Sequence, residues 1–466
     1  MKNDLVIGRS SNRAILPRLA MAATLCCFLL GAAAFAQKAK PAKAKPAPAK
    51  AEQARAIVLR GGRLLTISHG TIENGVLVME NGKITAVGAA GSVQVPRNAR
   101  VLDVTGMTVY PGLIDSETHL GLTEISAEPM TNDLQETSDA IMPHMHVYDA
   151  FHAESDLIPV AHINGVTNAI VAPQTRDTLP GQDAFVQLAG RSSDEMLLVR
   201  DIAMPFNFTG EQRRNESFQN AQFPQTRMGM AAQLRQVFID AQDYAQKSAD
   251  YDKKAAAWEK DKKGDQPSPP KRDLKLEALL PYLEGKRPVV LAANEPSDLK
   301  TALGLAREFH LKVILNHVAH SQILVDEIAA TKLPVIVGPI YETPKDAERY
   351  DSVFKLPAEL VARGVKIAFA SYDEHNVRNL PYQAGYAVAF GLSHDEAMKA
   401  ITLNPAEIWG VADQLGSLDP GKSATVVVAD GDPLELKTDV KRVFIAGHEV
   451  AMESRQTRLR DQYMKH

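Results

Sequence analysis

The sequence predicts an α/β chain: a (β/α)8 TIM-like barrel with a small β-sandwich domain built from both termini. Three observations point there. Near-continuous apolar runs at VTNAIVA (166–172), PVVLAA (288–293), KVILNH (312–317), PVIVGP (334–339) and VKIAFAS (365–371) read as strands buried on both faces. Between the last four lie LKTALGLAREFH, ILVDEIAATK and LPAELVARG, whose apolar residues recur with a helical period. Short alternating β segments stand at both ends of the chain. Repeated βα units argue for a parallel sheet closed as a barrel, and the same rhythm leaves a doubly wound open sheet as the alternative.

Taken in order, residues 1–36 read as a secretory signal. Arg9, Arg13 and Arg18 precede the apolar run LAMAATLCCFLLGAAAFA, and Ala34-Phe35-Ala36 supplies a small-x-small cleavage pattern before Gln37. A retained membrane anchor is the competing reading of the same run. The expected destination is the periplasm or the exterior. Cys26 and Cys27 are the 2 cysteines of the chain, so the exported form would lack disulfides, thiolate zinc sites and cysteine nucleophiles. Residues 37–53, KAKPAKAKPAPAKAEQ and its flank, are too polar and too Pro-rich to pack and read as a tether.

From 54 to 109 the pattern is all β, with Asn81-Gly82 as a two-residue hairpin turn. Residues 414–452 return to it in SATVVVADGD and VKRVFIAGHEV, so both ends close one sandwich; 453–466 form a tail. The barrel then occupies 110–413. Two stretches break its rhythm and read as insertions: a hairpin at 179–201 and a long charged helix at 230–263.

Composition excludes several functions. Lys plus Arg number 52 against 56 for Asp plus Glu, a net charge of −4, and no basic face suggests nucleic acid. Neither a Gly-x-Ser-x-Gly elbow nor a Gly-rich phosphate loop between strand and helix is found.

Barrel enzymes carry their chemistry where strands end and βα loops begin. Those ends hold Glu117 and His119 after the first strand, Ala292 to Glu295 after PVVL, His317 after KVILN, and Ser371 to His375 after VKIAFA. Residues two apart on a strand share a face, so Glu117 and His119 can both face the barrel axis. His144, His146 and His152, in PHMHVYDAFHAESD, read instead as a histidine-rich surface loop.

The β domain made from both termini, the stretch YPGLIDSETHLGL, and the tail AITLNPAEIWGVADQLGSLDPGKSATVVVADGDP together resemble the amidohydrolase superfamily. The likeness is greatest to its imidazolonepropionase-like, secreted members and spans Ala54 to Val450. Thr402, Asn404-Pro405-Ala406, Gly416 and Pro420-Gly421-Lys422 carry its C-terminal signature. The resemblance implies hydrolysis of a non-peptide C–N bond, such as an amide or cyclic amide, by a water that a divalent metal activates. In that superfamily a His-x-His pair on the first strand, a histidine on the fifth, often one on the sixth and an aspartate on the eighth hold the metal. Some members add a carboxylated lysine on the fourth strand.

This sequence departs at three of those positions. Glu117 replaces the first histidine, Ala292 the fifth-strand histidine, and Tyr372 the eighth-strand aspartate, while no fourth-strand lysine can be assigned. A rebuilt site would use Glu117, His119, His317 and Asp373 as metal ligands, zinc foremost, with Asp373 or Glu295 as proton carrier. Against Asp373 stands the strand period of two, which sends it to the face opposite Tyr372. By the same resemblance Arg176, Gln182 and Tyr372 are expected at the substrate, Arg176 in a bidentate grip on any carboxylate. The alternative is a catalytically inactive, ligand-binding subunit without metal. Expected partners are a small-molecule substrate or ligand, further copies of the chain as a homo-oligomer, or an intact amidohydrolase relative.

Overall fold

A computed structural model describes residues 56–136, 138–209, 223–224, 226–345 and 348–464. The expected signal and tether lie outside them.

The first five strands are β1 (Ile57–Leu65), β2 (Thr71–Glu80), β3 (Lys83–Ala89), β4 (Arg100–Asp103) and β5 (Thr108–Pro111). Asn81 and Gly82 make the β2–β3 turn with φ of 49° and 75°, the left-handed pair that a tight hairpin requires. The barrel strands follow: β6 (Leu113–Thr118), β7 (Val166–Val171), β8 (Asp183–Gln187), β9 (Leu197–Asn207), β10 (Val289–Ala293), β11 (Val313–Val318), β12 (Val335–Gly338) and β13 (Ile367–Phe369). The last three are β14 (Val426–Ala429), β15 (Val440–Ile445) and β16 (His448–Glu449). β14 pairs antiparallel with β5, so both ends of the chain close one small domain, whose strands form a single continuous sheet, β16-β15-β14-β5-β1-β2-β3, with β4 beside β1. Gly112 sits where the chain passes into the barrel; a Cβ there would lie 2.1 Å from Thr167 Oγ1, which leaves room only for glycine.

The barrel sheet runs in sequence order from β6 to β13. Its two edges meet where the Tyr372 N–H donates to the Glu117 carbonyl (3.0 Å) and the Ser371 N–H to Asp115 Oδ1 (2.9 Å). Strand alternation divides the side chains. Leu113, Val171, Leu291, Leu315, Val337 and Phe369 face outward to the surrounding helices. Ile114, Ile170, Phe185, Val290, Ile314, Ile336 and Ala370 face inward and pack on Ala406, Trp409 and Leu415. Residues of the C-terminal signature thus plug the barrel interior, and each large aliphatic side chain buried there contributes roughly 1.5–3 kcal/mol.

Two expected insertions are placed differently. The 179–201 hairpin supplies β8 and the start of β9, so it is part of the barrel wall. It broke the βα rhythm because β8 runs antiparallel to both neighbours. The long helix spans Arg227–Asp261; Thr226 caps it, and its buried residues run from Met230 to Ala241, with none beyond. Phe238 locks this buried half between Phe206 and Phe309, at centroid distances of 5.3 and 4.8 Å.

Candidate active site

Strand irregularities at three barrel ends aim the site. On β6, Ile114 faces inward, and simple alternation would turn Glu117 outward. A register shift between Asp115 and Thr118 against β7 adds one residue and restores Glu117 to the interior. On β11, alternation would send His317 outward with Leu315. Left-handed backbone at His317 and Val318 (φ 69° and 53°) reverses this, and the imidazole stacks on Tyr372 with ring centroids 4.4 Å apart. Such φ values are strained for a β-branched valine and commonly mark functional sites. Tyr372 follows the inward Ala370 and itself has φ 53°.

These side chains are wired through Asn316. Its Nδ2 donates to Glu117 Oε2, and its Oδ1 accepts from the Tyr372 hydroxyl at 2.7 Å and from the His317 N–H at 2.8 Å. His119 Nδ1 donates to the Ala172 carbonyl at 2.9 Å, which leaves Nε2 with its lone pair. Among the described residues, neither ring nitrogen of His317 has a hydrogen-bond partner. Ala292 is fully buried, its register partners being Asn207 on β9 and Asn316 on β11.

Sequence reasoning missed three members of this constellation. Asp183 shares the inward face of β8 with Phe185; it is 2% exposed, and its Oδ1 has no partner among the described residues. Asp115 accepts from two N–H groups through Oδ1 while Oδ2 is unpartnered. Asn316 is the hub. The available signal was a polar side chain within a run that is otherwise apolar or alternating, as in VILNH and QDAFVQ.

Burial sets the electrostatics. Desolvation pushes the Glu117 carboxyl up to about 8 against the pull of the Asn316 amide, and Asp115 up to about 7 despite its bonds from Ser371 and Glu117. Asp183 is held well above the ordinary carboxylate range by desolvation, with the Glu117 charge adding to it. Desolvation lowers His317 to about 3, helped by His119, and lowers His119 as well.

Other expected site residues are placed elsewhere. Asp373 lies four residues beyond the end of β13, after the left-handed Tyr372, and its carboxylate accepts from the N–H groups of His375 (2.6 Å) and Asn376 (2.7 Å), capping its own loop. It does not take the place of Tyr372. Asp373, Glu374 and His375 are nonetheless, among the described residues, the one His/Cys/Asp/Glu trio with ligand atoms within 4.8 Å of one another. Glu295 is ion-paired with Lys345 at the start of the helix Pro296–Glu308, which removes it from proton carriage. Gln182 is buried but bonded to the Pro143 carbonyl (3.0 Å) and the Tyr282 hydroxyl (2.7 Å), a structural role outside the site. Arg176 is half-buried beside Asp177, whose charge it stabilises. His146 and His152 pair with Asp201 on β9 and with Asp133 at 2.6 and 3.1 Å, so they tie the histidine-rich loop to its neighbours.

The residues fit a divalent metal in part. His119 has the carbonyl-bound Nδ1 of a typical metal-ligating imidazole, and His317 and Glu117 have unused donor atoms. Asp373 does not fit.

Comparison with known proteins agrees with the architecture. The Amidohydrolase family profile matches residues 298–450. The chain is 25% identical over 392 residues to the amidohydrolase tasK of Hapsidospora irregularis, covering 80% of this chain and 39% of that protein. It is 32% identical over 133 residues to a dihydroorotase of Syntrophus aciditrophicus (strain SB), covering 23% and 30% of the two. The chain therefore spans well under half the length of the curated relatives it matches. Among solved structures, an amidohydrolase from Thermotoga maritima MSB8 is 28% identical with a TM-score of 0.75, covering 85% of this chain and 99% of that one. Molinate hydrolase, at 17% identity, TM-score 0.53 and coverage of 85% and 95%, shares the fold. The sheet built from both termini, the inwardly aimed strand ends and these likenesses agree: the chain belongs to the amidohydrolase superfamily.

Proposed function

We propose that the chain is a hydrolase of a C–N bond in a small amide or cyclic amide, working at the inner ends of β6, β8 and β11. One observation carries this reading. Buried donor atoms with unused bonding capacity gather there: both ring nitrogens of His317, Asp183 Oδ1 and Asp115 Oδ2. Buried polar atoms are nearly always hydrogen-bonded, and a concentration of exceptions marks a place for an ion, water or substrate. Glu117, His119 and His317 would hold a divalent metal, zinc foremost, whose chemistry is to polarise a carbonyl and lower the pKa of water. Asn316 orients Glu117, and the Ala172 carbonyl fixes the His119 tautomer. Hydrolysis adds water oxygen to the carbonyl carbon and requires a proton for the departing nitrogen. Asp115 can hold and release that proton at neutral pH, being held at about 7 with a bare Oδ2.

A second reading, a ligand-binding or partner subunit without turnover, is favoured by one contact, the Tyr372 ring stacked on His317. Metal analysis of the purified chain, prepared without chelator, with turnover assays on a panel of cyclic amides, separates the two. About one equivalent of metal and measurable turnover, both lost in His119→Ala/His317→Ala, support the hydrolase. Less than about a tenth of an equivalent, unchanged by zinc or manganese loading, with no turnover, supports the second reading.

A further inference from the structure

One inward layer of the barrel wall runs Asn207, Ala292, Asn316 across β9, β10 and β11, each residue the register partner of the next. Alternation fixes their direction, because Phe206, Leu291 and Leu315 beside them face outward to the helices. Neighbouring strands are about 4.8 Å apart, so the two asparagines stand roughly 10 Å apart at Cα, with only the Ala292 methyl between them. Asn316 already belongs to the site through Glu117, His317 and Tyr372. Asn207 stands on the other side of Ala292.

Only half of the Asn207 carboxamide is used. Its backbone N–H donates to the Thr178 carbonyl at 3.1 Å and its Nδ2 to the Asp177 carbonyl at 2.7 Å. A carbonyl accepts and never donates, so the bond at Nδ2 fixes which end of the carboxamide is oxygen. That oxygen belongs to a residue 2% exposed and has no donor among the described residues. A buried acceptor held in one direction without a donor is rare in folded proteins, and at the edge of a reaction site it suits a ligand. What it lacks is a hydrogen-bond donor, and an amide N–H is the donor that lies next to a carbonyl under attack.

We propose that Asn207 is a specificity-determining residue of this site: its Oδ1 accepts the N–H of the amide that is cleaved. The substrates are then primary, secondary or cyclic amides with a free N–H, and N-alkylated amides are refused. This rests on the hydrolase reading and narrows it. A methyl group in place of the hydrogen leaves Oδ1 unpaired and presses carbon against it, whereas a pocket that merely encloses an apolar ring discriminates weakly.

The test is hydrolysis of pyrrolidinone, succinimide and glutarimide, each beside its N-methyl derivative. The enzymes are the zinc-supplemented full chain and its Asn207→Leu variant, which keeps the volume and removes the acceptor. In the wild type kcat/KM is expected to favour the N–H member of a pair by at least about 10²-fold, and in Asn207→Leu by about tenfold or less. The leucine also removes the bond to Asp177, but a structural loss of that kind lowers both members of a pair alike, so the ratio reports on Oδ1. A smaller wild-type ratio, or one that Asn207→Leu leaves unchanged, overturns the proposal and leaves the hydrolase reading standing. Absence of wild-type turnover on every N–H probe overturns both. Asn207→Ala, read by the same ratio, serves if the leucine variant does not fold.

Discussion

The phenol of Tyr372 and the imidazole of His317 stack at 4.4 Å between centroids and 27° between planes, although both residues occupy left-handed backbone. The stack is tied down because the Tyr372 hydroxyl reaches Asn316 Oδ1 at 2.7 Å. Removing only the hydroxyl, as Tyr372→Phe, deprives a buried acceptor of its donor and is expected to cost about 1–2 kcal/mol in urea unfolding. Truncation to Tyr372→Ala also removes the ring and is expected to cost about 3 kcal/mol or more. Neither variant removes a donor from the proposed metal set, so zinc affinity should not fall. Loss of zinc affinity in Tyr372→Phe would show that the phenol, rather than Glu117 and the imidazoles, organises the site.

Asn316 links Glu117 to Tyr372, so its effect should depend on both. Asn316→Ala leaves Glu117 Oε2 without its amide donor and is expected to destabilise the fold by about 1–3 kcal/mol. Combined with Tyr372→Phe, the two losses overlap at one hydrogen bond. The double variant should therefore be less destabilised than the sum by about 0.5 kcal/mol or more, a coupling that urea midpoints can resolve. Strict additivity would mean that the three side chains do not act as a unit.

The barrel was legible because its strands are continuous apolar runs and its plug bears a specific signature. The site was legible only in part. Tyr372 and Asp373 lie past the end of β13, where Tyr372 takes left-handed backbone and the period of two no longer applies. Glu117 and His317 reach the interior through a register shift and two left-handed residues, which no periodicity encodes. Asp183 is hidden because its segment reads as an inserted hairpin, and its antiparallel strand carries no βα signal. Gln182, one residue earlier and just before β8, instead bonds the Pro143 carbonyl and the Tyr282 hydroxyl.

Proton transfer gives a prediction confined to chemistry. Asp115 presents an unpartnered Oδ2 in a fully buried position, and Oδ1 alone accepts from Ser371 and Glu117. Asp115→Asn keeps an oxygen for those two N–H groups, so the melting temperature should change little. Turnover of a cyclic amide should nevertheless fall by about 10²–10⁴, the usual contribution of a general acid or base. An unchanged turnover number would remove Asp115 from the mechanism.

Away from the site, the pair His394 and Asp432 ties the helix His394–Ala400 to the loop after β14, with Nε2 2.9 Å from the carboxylate. The hydrogen bond to Asp432 raises the His394 pKa, burial opposing it, and the same bond lowers Asp432. A histidine whose folded pKa is raised contributes stability that is complete below its unfolded value, near 6.5, and is lost as pH rises through the folded value. The lowered aspartate contributes stability present above about 3.8 and lost as pH falls through its folded value. The pair therefore stabilises most between about pH 4 and 6.5. Both groups are 40% exposed, so solvent screening limits the effect to about 0.2–1 kcal/mol. Urea unfolding of His394→Ala against wild type should show that deficit at pH 5.5 and a smaller one at pH 9. A deficit that grows toward pH 9 would mean that the neutral imidazole, through packing or its remaining hydrogen bond, is what holds the helix to the loop.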